Sequence, residues 1–398
     1  MSTNKKNISD LAIFGGNPLF IEPLHVGRPN IVGRTQLTCR FNEILDNKWL
    51  TNNGPVVQEF ERKIKKYLGV RNCIAVCNAT IGLEITIKAL HMTGEVIIPS
   101  FTFIATAHAL KWQEITPVFC DIDPRTHNID PEKIRDLITP ATSGIIGVHL
   151  WGRPCNIEAL TNIARQNNLR LIFDSAHAFG VSHRGTMIGN FGEAEIFSFH
   201  ATKFLNTFEG GAIVTNNDEL AEKIRLMKNF GFSGYDSVIH IGTNGKMNEF
   251  SAAMGITGLE NIQQIICANT KNYKEYQRQL SGIPGVCLIT YDDSEHCNFQ
   301  YIVVEIDEKL THISRDRIQE ILQKENILAR RYFYPGCHNM EPYKSLNPKD
   351  EWSLHSTNAL TKKVLILPTG TSIDRKTVSR ICELLRFIIS NAGDIRNG

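Results

Sequence analysis

Between about residue 70 and residue 230, short runs rich in apolar and β-branched residues alternate with stretches of helical periodicity. The runs are CIAVC, EVIIP, PVFCDI, GIIGVHL, LRLIFD, AEIFSF and AIVTN, and the helical candidates between them include TIGLEITIKAL, ATAHALKW, PEKIRDLI and NIEALTNIARQNN. This alternation constrains the fold more than any other feature, because a strand that returns parallel to its predecessor needs a crossover, usually a helix. GIIGVHL and LRLIFD are apolar almost throughout, as strands covered on both faces are. The expected class is α/β, with a parallel sheet wrapped by helices.

The pattern changes after residue 245. A long helical stretch, NEFSAAMGITGLENIQQIICANTKNYKEYQRQL, precedes a strand, FQYIVVEI, and a helix, SRDRIQEILQKENI. The amphipathic RKTVSRICELLRFIISNA follows near the end. A chain of 398 residues is too long for one small core. We therefore expect a large unit over residues 1–260, N-terminal segment included, and a smaller α+β unit over 261–398, with the long helix linking them.

Composition narrows the function classes. Hydrophobic residues make up 42% and charged residues 21%, as in ordinary globular proteins. A net charge of +2 without a basic block gives no footprint for nucleic acid or anionic lipid. MSTNKKNISDLAIFGG lacks the apolar core of a signal peptide and no run has the length of a membrane span, so a cytoplasmic location is expected. The ten cysteines are scattered without paired CxxC spacing, which points to reduced thiols rather than a disulfide framework or a metal site.

In an open α/β sheet, ligands bind at the carboxyl ends of the strands. After CIAVC come Asn78, Ala79 and Thr80, entering a helix whose first N–H groups either receive an anion or are merely capped. After EVIIP come Phe101 and Phe103, each either core or a face for an aromatic ligand. LRLIFD ends in Asp174, followed closely by His177; a carboxylate closing a buried strand is costly without a cationic partner. AEIFSF delivers Ser198, His200 and Lys203, the last being the best candidate for a nucleophilic amine. His200 faces a substrate pocket or packs at the strand end.

One cofactor accounts for this set. Pyridoxal 5'-phosphate requires a lysine for its Schiff base, an acid for its ring nitrogen, an aromatic face and donors for its phosphate. Competing sites lack their defining residues. GTNGKMN fails the P-loop spacing, and there is no GxGxxG after a strand, no HExxH and no GxSxG elbow at Ser198.

These residues resemble a known family, the sugar-nucleotide aminotransferases of the DegT/DnrJ/EryC1/StrS type. The similarity runs in order through NNGPVVQEFERKIKKYLGV, CNATIGLEITIKAL, IIPSFTFIATAHAL, VHLWGRPCNIEAL, IFDSAHAFG, SFHATKFLNTFEGG, GTNGKMNEFSAAMG, RYFYPGCHNMEPY and ILPTG. The resemblance implies a type I, aspartate aminotransferase-like fold, with a mostly parallel mixed sheet in the large unit. It makes Lys203 the Schiff-base lysine and Asp174 the partner of the pyridinium nitrogen. Phe103 is implied against the ring, His177 near the ring hydroxyl where a Gln is usual, and Ala79, Thr80 and Ser198 at the phosphate. Asn244 matches a position that reaches the phosphate from a neighbouring subunit, which implies a homodimer with shared active sites.

His177, Lys246 and Phe208 depart from common family residues, the last two marking an expected subgroup with its own sugar pocket. Arg331, Tyr332, Tyr334 and His338 are candidates, with His200, for facing a nucleotide sugar. Within the family, HLWGRPCNIEAL, SFHATKFLNTFEGG and GTNGKMNE look most like enzymes that aminate carbon 4 of dTDP-4-keto-6-deoxy-D-glucose, giving dTDP-4-amino-4,6-dideoxy-D-glucose, with L-glutamate as amino donor. Other nucleotide-linked 3-keto or 4-keto hexoses are alternative substrates. Sugar dehydratases that replace the lysine with histidine, and a non-catalytic cofactor-binding sensor, are the other classes on this fold.

Overall fold

The structure, a computed structural model, describes residues 5–346 and 353–397. Its centre is a seven-stranded sheet made of Asn72–Val76 (β1), Glu95–Pro99 (β2), Thr116–Cys120 (β3), Thr142–Val148 (β4), Arg170–Asp174 (β5), Ala194–Ser198 (β6) and Gly211–Thr215 (β7). The order across the sheet is β1-β7-β6-β5-β4-β2-β3. Only β7 runs antiparallel to its neighbours, so the sheet is mixed but mostly parallel. Each of the seven apolar runs read from the sequence forms one of these strands.

Alternation within the strands divides their side chains between two cores. Cys73, Ala75, Leu171, Phe173, Phe197, Ala212 and Val214 enter one hydrophobic cluster. Ile74, Val76, Ile172, Ile196 and Ile213 enter the other. This is the period-two geometry of a strand buried on both faces. The first cluster is closed partly by Pro55–Leu68 (α1), which has Pro55 in its first turn and buries Val57, Phe60, Ile64 and Leu68 at helical spacing. The second is closed by Ala79–Ala89 (α2), Ala105–Lys111 (α3) and Asp218–Met227 (α4), which contribute Leu83, Ala107, Leu110, Leu220 and Ile224.

The expected long linking helix is two helices, Glu249–Glu260 (α5) and Ile262–Leu280 (α6). Asn261 separates them: its amide N–H bonds to Gly258 O and its Nδ2 donates to Thr257 O. Local bonding of this kind competes with the regular helical ladder. PEKIRDLI likewise forms only a short helix, Pro131–Ile134, followed by a 3-10 turn, Arg135–Leu137.

A three-stranded antiparallel sheet, Val286–Leu288 (β8), Ile302–Ile306 (β9) and Val364–Leu367 (β10), packs with α6, Arg315–Lys324 (α7) and Arg375–Ser390 (α8). Leu11, Leu19 and Phe20 belong to this core. The N-terminal segment, grouped with the large unit in the sequence reading, therefore crosses to the smaller one. Buried Glu325 anchors it by accepting from the amides of Ala12 and Leu19, at 2.7 and 2.6 Å. Among the described residues, no helix is long and apolar enough to cross a membrane.

Candidate active site

Sheet register brings the chemically interesting residues to one edge. Val148 pairs with Asp174, Asp174 with Ile196, and Ser198 with Gly211, so β4, β5 and β6 end together where β7 begins. Above that edge lies a cavity of about 750 Å³. Ala79, Thr80, Phe103, Asp174, His177, Ser198, His200, Lys203 and Tyr332 all line it.

The start of α2 forms one wall. Asn78 Oδ1 accepts the Ile81 amide at 2.9 Å, capping the helix while Ala79 and Thr80 face the cavity. The first amides of a helix have no intrahelical acceptor, and the helix dipole adds partial positive charge there. Capping and anion binding are thus compatible at this turn. The start of β7 presses against it: a side chain at Gly211 would place Cβ 2.9 Å from Ala79 N and 2.8 Å from Phe197 O. Only glycine permits that backbone approach without a shift.

Asp174 is buried at the end of β5. Its Oδ2 accepts from Thr106 Oγ1 at 2.8 Å and its Oδ1 from the Ala176 amide at 3.1 Å. Burial nevertheless raises its pKa, because the two hydrogen bonds and the nearby Lys203 only partly offset desolvation. The carboxylate is thereby prepared to pair with a cationic group.

Lys203 follows β6 in a turn closed by its own amide donating to His200 O at 2.8 Å. The amine end is enclosed, and burial lowers its pKa to about 8 against the opposing pull of Asp174. Nζ donates to Tyr301 Oη at 3.3 Å. A lysine tuned this way carries a useful neutral fraction near neutral pH, which an amine nucleophile needs.

His177 is also buried, and burial first, then Lys203, pushes its pKa well down. Its Nδ1 accepts the Trp151 amide at 3.3 Å. The neutral ring therefore carries its proton on Nε2 as a donor. Phe103 is 57% exposed at the cavity, with a T-shaped contact to Phe333 at 6.3 Å. Phe101, the alternative aromatic, is fully buried among Trp151, His127 and Phe333, and is core.

Other candidates lie elsewhere. Arg331 pairs with Asp316 at 2.9 Å and stacks on Tyr334, and neither lines the cavity. His338 is buried between Ser100 Oγ, 2.6 Å from Nδ1, and Asn358 Oδ1, 3.0 Å from Nε2. These partners make it a structural link between the end of β2 and the C-terminal region. Asn244 is exposed outside the cavity, bridging Asn229 through the backbone. Lys246 donates to Asn229 Oδ1 at 2.9 Å, and Phe208, at φ 63°, lies 6.4 Å from Phe41. Neither lines this cavity.

His25, Arg28, Thr102, Tyr301 and Arg330 also line the cavity, although no local spacing in the sequence ties any of them to the loop after β6. Backbone pairing explains how two of them arrive. Leu24 and His25 run parallel to Ile327 and Leu328, which brings the N-terminal strap and the segment carrying Arg330 to the same rim. That pairing joins segments about 300 residues apart, a contact that no short-range pattern reveals.

Comparison with known proteins places the chain in a family. The profile of the DegT/DnrJ/EryC1/StrS aminotransferase family matches residues 33–386. The chain is 38% identical over 363 residues to the dTDP-4-amino-4,6-dideoxy-D-glucose transaminase of Escherichia coli, covering 90% of this chain and 97% of that one. It is 34% identical over 358 residues to the GDP-perosamine synthase of Caulobacter vibrioides, covering 87% and 94%. The crystal structure of DesI in the presence of its TDP-sugar product superposes with a TM-score of 0.94 at 46% identity, covering 98% and 99%. With a matching profile across most of its length and a type I sheet carrying Lys203 and Asp174 at one edge, the chain belongs to the DegT/DnrJ/EryC1/StrS aminotransferase family.

Proposed function

We propose that this enzyme binds pyridoxal 5'-phosphate and transfers an amino group from L-glutamate to a nucleotide-linked keto sugar, dTDP-4-keto-6-deoxy-D-glucose. The observation that carries the reading is the placement of Lys203 and Asp174 in one cavity beside the open start of α2. The residues present fit the cofactor. A close glycine approach at Gly211, first-turn amides at Ala79 and Thr80, and Ser198 suit a phosphate, while Phe103 presents an exposed ring. The sugar assignment is supported by the Escherichia coli relative, named as a dTDP-4-amino-4,6-dideoxy-D-glucose transaminase, and by DesI, whose crystal structure was determined in the presence of its TDP-sugar product.

When bound, the cofactor supplies an electron sink for the carbon that loses a proton. Asp174 is the acid partner of its ring nitrogen, and buried pairing with that cation relieves the desolvation that raises the carboxyl pKa. Lys203 Nζ, enclosed and with its pKa lowered to about 8, would be the residue that anchors the cofactor covalently and, as a free amine, the base beside the reacting carbon. His177, with Nδ1 taken by the Trp151 amide, would offer its Nε2–H to the ring hydroxyl.

The family resemblance supports a homodimer with shared active sites, in which Asn244, exposed outside this chain's cavity, would serve a second copy. The test is product analysis after incubation with L-glutamate and a panel of nucleotide-linked 4-keto and 3-keto sugars. Amination at carbon 4 of the dTDP-linked 6-deoxy sugar is expected. Preference for a GDP-linked or 3-keto sugar would overturn the substrate assignment and leave the cofactor assignment intact.

A further inference from the structure

The loop carrying Lys203 is gripped by the smaller unit at two adjacent residues. Gln300 Oε1 accepts the Phe204 amide at 3.1 Å, and Tyr301 Oη accepts from Lys203 Nζ at 3.3 Å. Residues 300 and 301 thus hold residues 204 and 203 across almost 100 positions of sequence. Tyr301 is itself fixed: Tyr291 Oη donates to its carbonyl at 3.0 Å, and its ring packs on His177 at 4.5 Å and Trp151 at 5.4 Å.

We propose that Tyr301 is a positioning residue for Lys203, holding Nζ where it must stand to move the substrate proton. The inference rests on the proposed role of Lys203. Burial pushes the Tyr301 phenol far above its ordinary range, so it stays a neutral hydroxyl. A neutral hydroxyl accepts from the lysine ammonium and donates to the free amine, and so keeps hold of Nζ through both protonation states. No proton need be transferred to or from the ring. Because the grip comes from the smaller unit, the lysine is oriented only when the two units are packed together.

The test is Tyr301→Phe, which keeps the ring and removes only the hydroxyl. With the cofactor bound, kcat is expected to fall by about 10- to 100-fold, the scale of one hydrogen bond to a charged group, with KM for the sugar nearly unchanged. In the cofactor-free full chain at neutral pH, trinitrobenzenesulfonate labelling of Lys203, read by peptide mass spectrometry, is expected to accelerate severalfold because the amine is released. Buried Lys228, held by Glu61 at 3.2 Å, is the internal control and keeps its rate. Wild-type kcat together with wild-type Lys203 labelling would overturn the proposal. So would equal acceleration at Lys228, which marks general loosening. If the wild-type chain fails to bind the cofactor at Lys203, the proposed function fails, while the labelling comparison still decides whether Tyr301 holds the amine.

Discussion

Thr106 Oγ1 donates a 2.8 Å hydrogen bond to Asp174 Oδ2, joining the helix after β2 to the carboxylate that closes β5. The contact shapes the charge of the site, since it is the largest influence opposing the upward push of burial on Asp174. Thr106→Val removes it with little change in volume. We expect the Asp174 pKa to rise further and kcat to fall about tenfold, the scale of a hydrogen bond to a charged group. Rates within about twofold of wild type would show that the bond does not support the carboxylate.

Lys203→Ala should abolish turnover, a loss of at least about 10²–10⁴-fold, while leaving the circular dichroism spectrum intact. The substitution leaves in place the backbone bonds that hold this loop, from the Lys203 amide to His200 O and from the Phe204 amide to Gln300 Oε1. Product formation at wild-type rate would refute its assignment. Borohydride treatment of the loaded wild-type enzyme should fix the cofactor on the peptide containing Lys203.

For Asp174→Ala the expected result is a loss of about 10²–10³-fold in kcat, as for removal of a buried electrostatic partner, with weaker cofactor retention. Dialysis followed by absorbance measures the retention. Unchanged occupancy and unchanged absorbance would count against pairing with the ring nitrogen.

The lowered Lys203 pKa sets the sign of a pH effect. Below about 8 the amine is increasingly protonated and a poor nucleophile; above it the neutral form dominates. The rate at which the cofactor-free protein takes up pyridoxal phosphate should therefore rise with pH through a midpoint near 8, well below that of an ordinary lysine. A rate still rising steeply at about pH 10, the range of an ordinary lysine, would show that burial does not tune this amine.

Gly211→Ala tests the close approach of β7 to α2. The added Cβ meets Ala79 N at 2.9 Å and Phe197 O at 2.8 Å, so backbone must move, at a cost of about 1–3 kcal/mol. Weaker retention of the cofactor is expected, read by the same dialysis. Retention equal to wild type would show that the start of α2 tolerates displacement.

The seven strands, the helices between them and the candidates Asp174, Ser198 and Lys203 are legible in the sequence because each depends on local signals: apolar runs, helical periodicity and position at a strand end. The break at Asn261 is not, because the apolar pattern continues through it and a side chain bonding to Thr257 O ends the helix. Arg331, Tyr334 and His338 are plausible by residue type, but Asp316, Ser100 and Asn358 occupy the polar groups of Arg331 and His338.

The alternating architecture, and the order in which a helix-opening turn, an acid and a lysine arrive at strand ends, follow from the amino-acid sequence alone. What surrounds those groups is a matter of tertiary packing. Tyr301, Arg28 and Arg330 reach the cavity through the smaller unit and the N-terminal strap, by contacts between segments far apart in the chain. The reason is physical: periodicity records which face of an element is buried, while partnership across the core is fixed only when those faces meet.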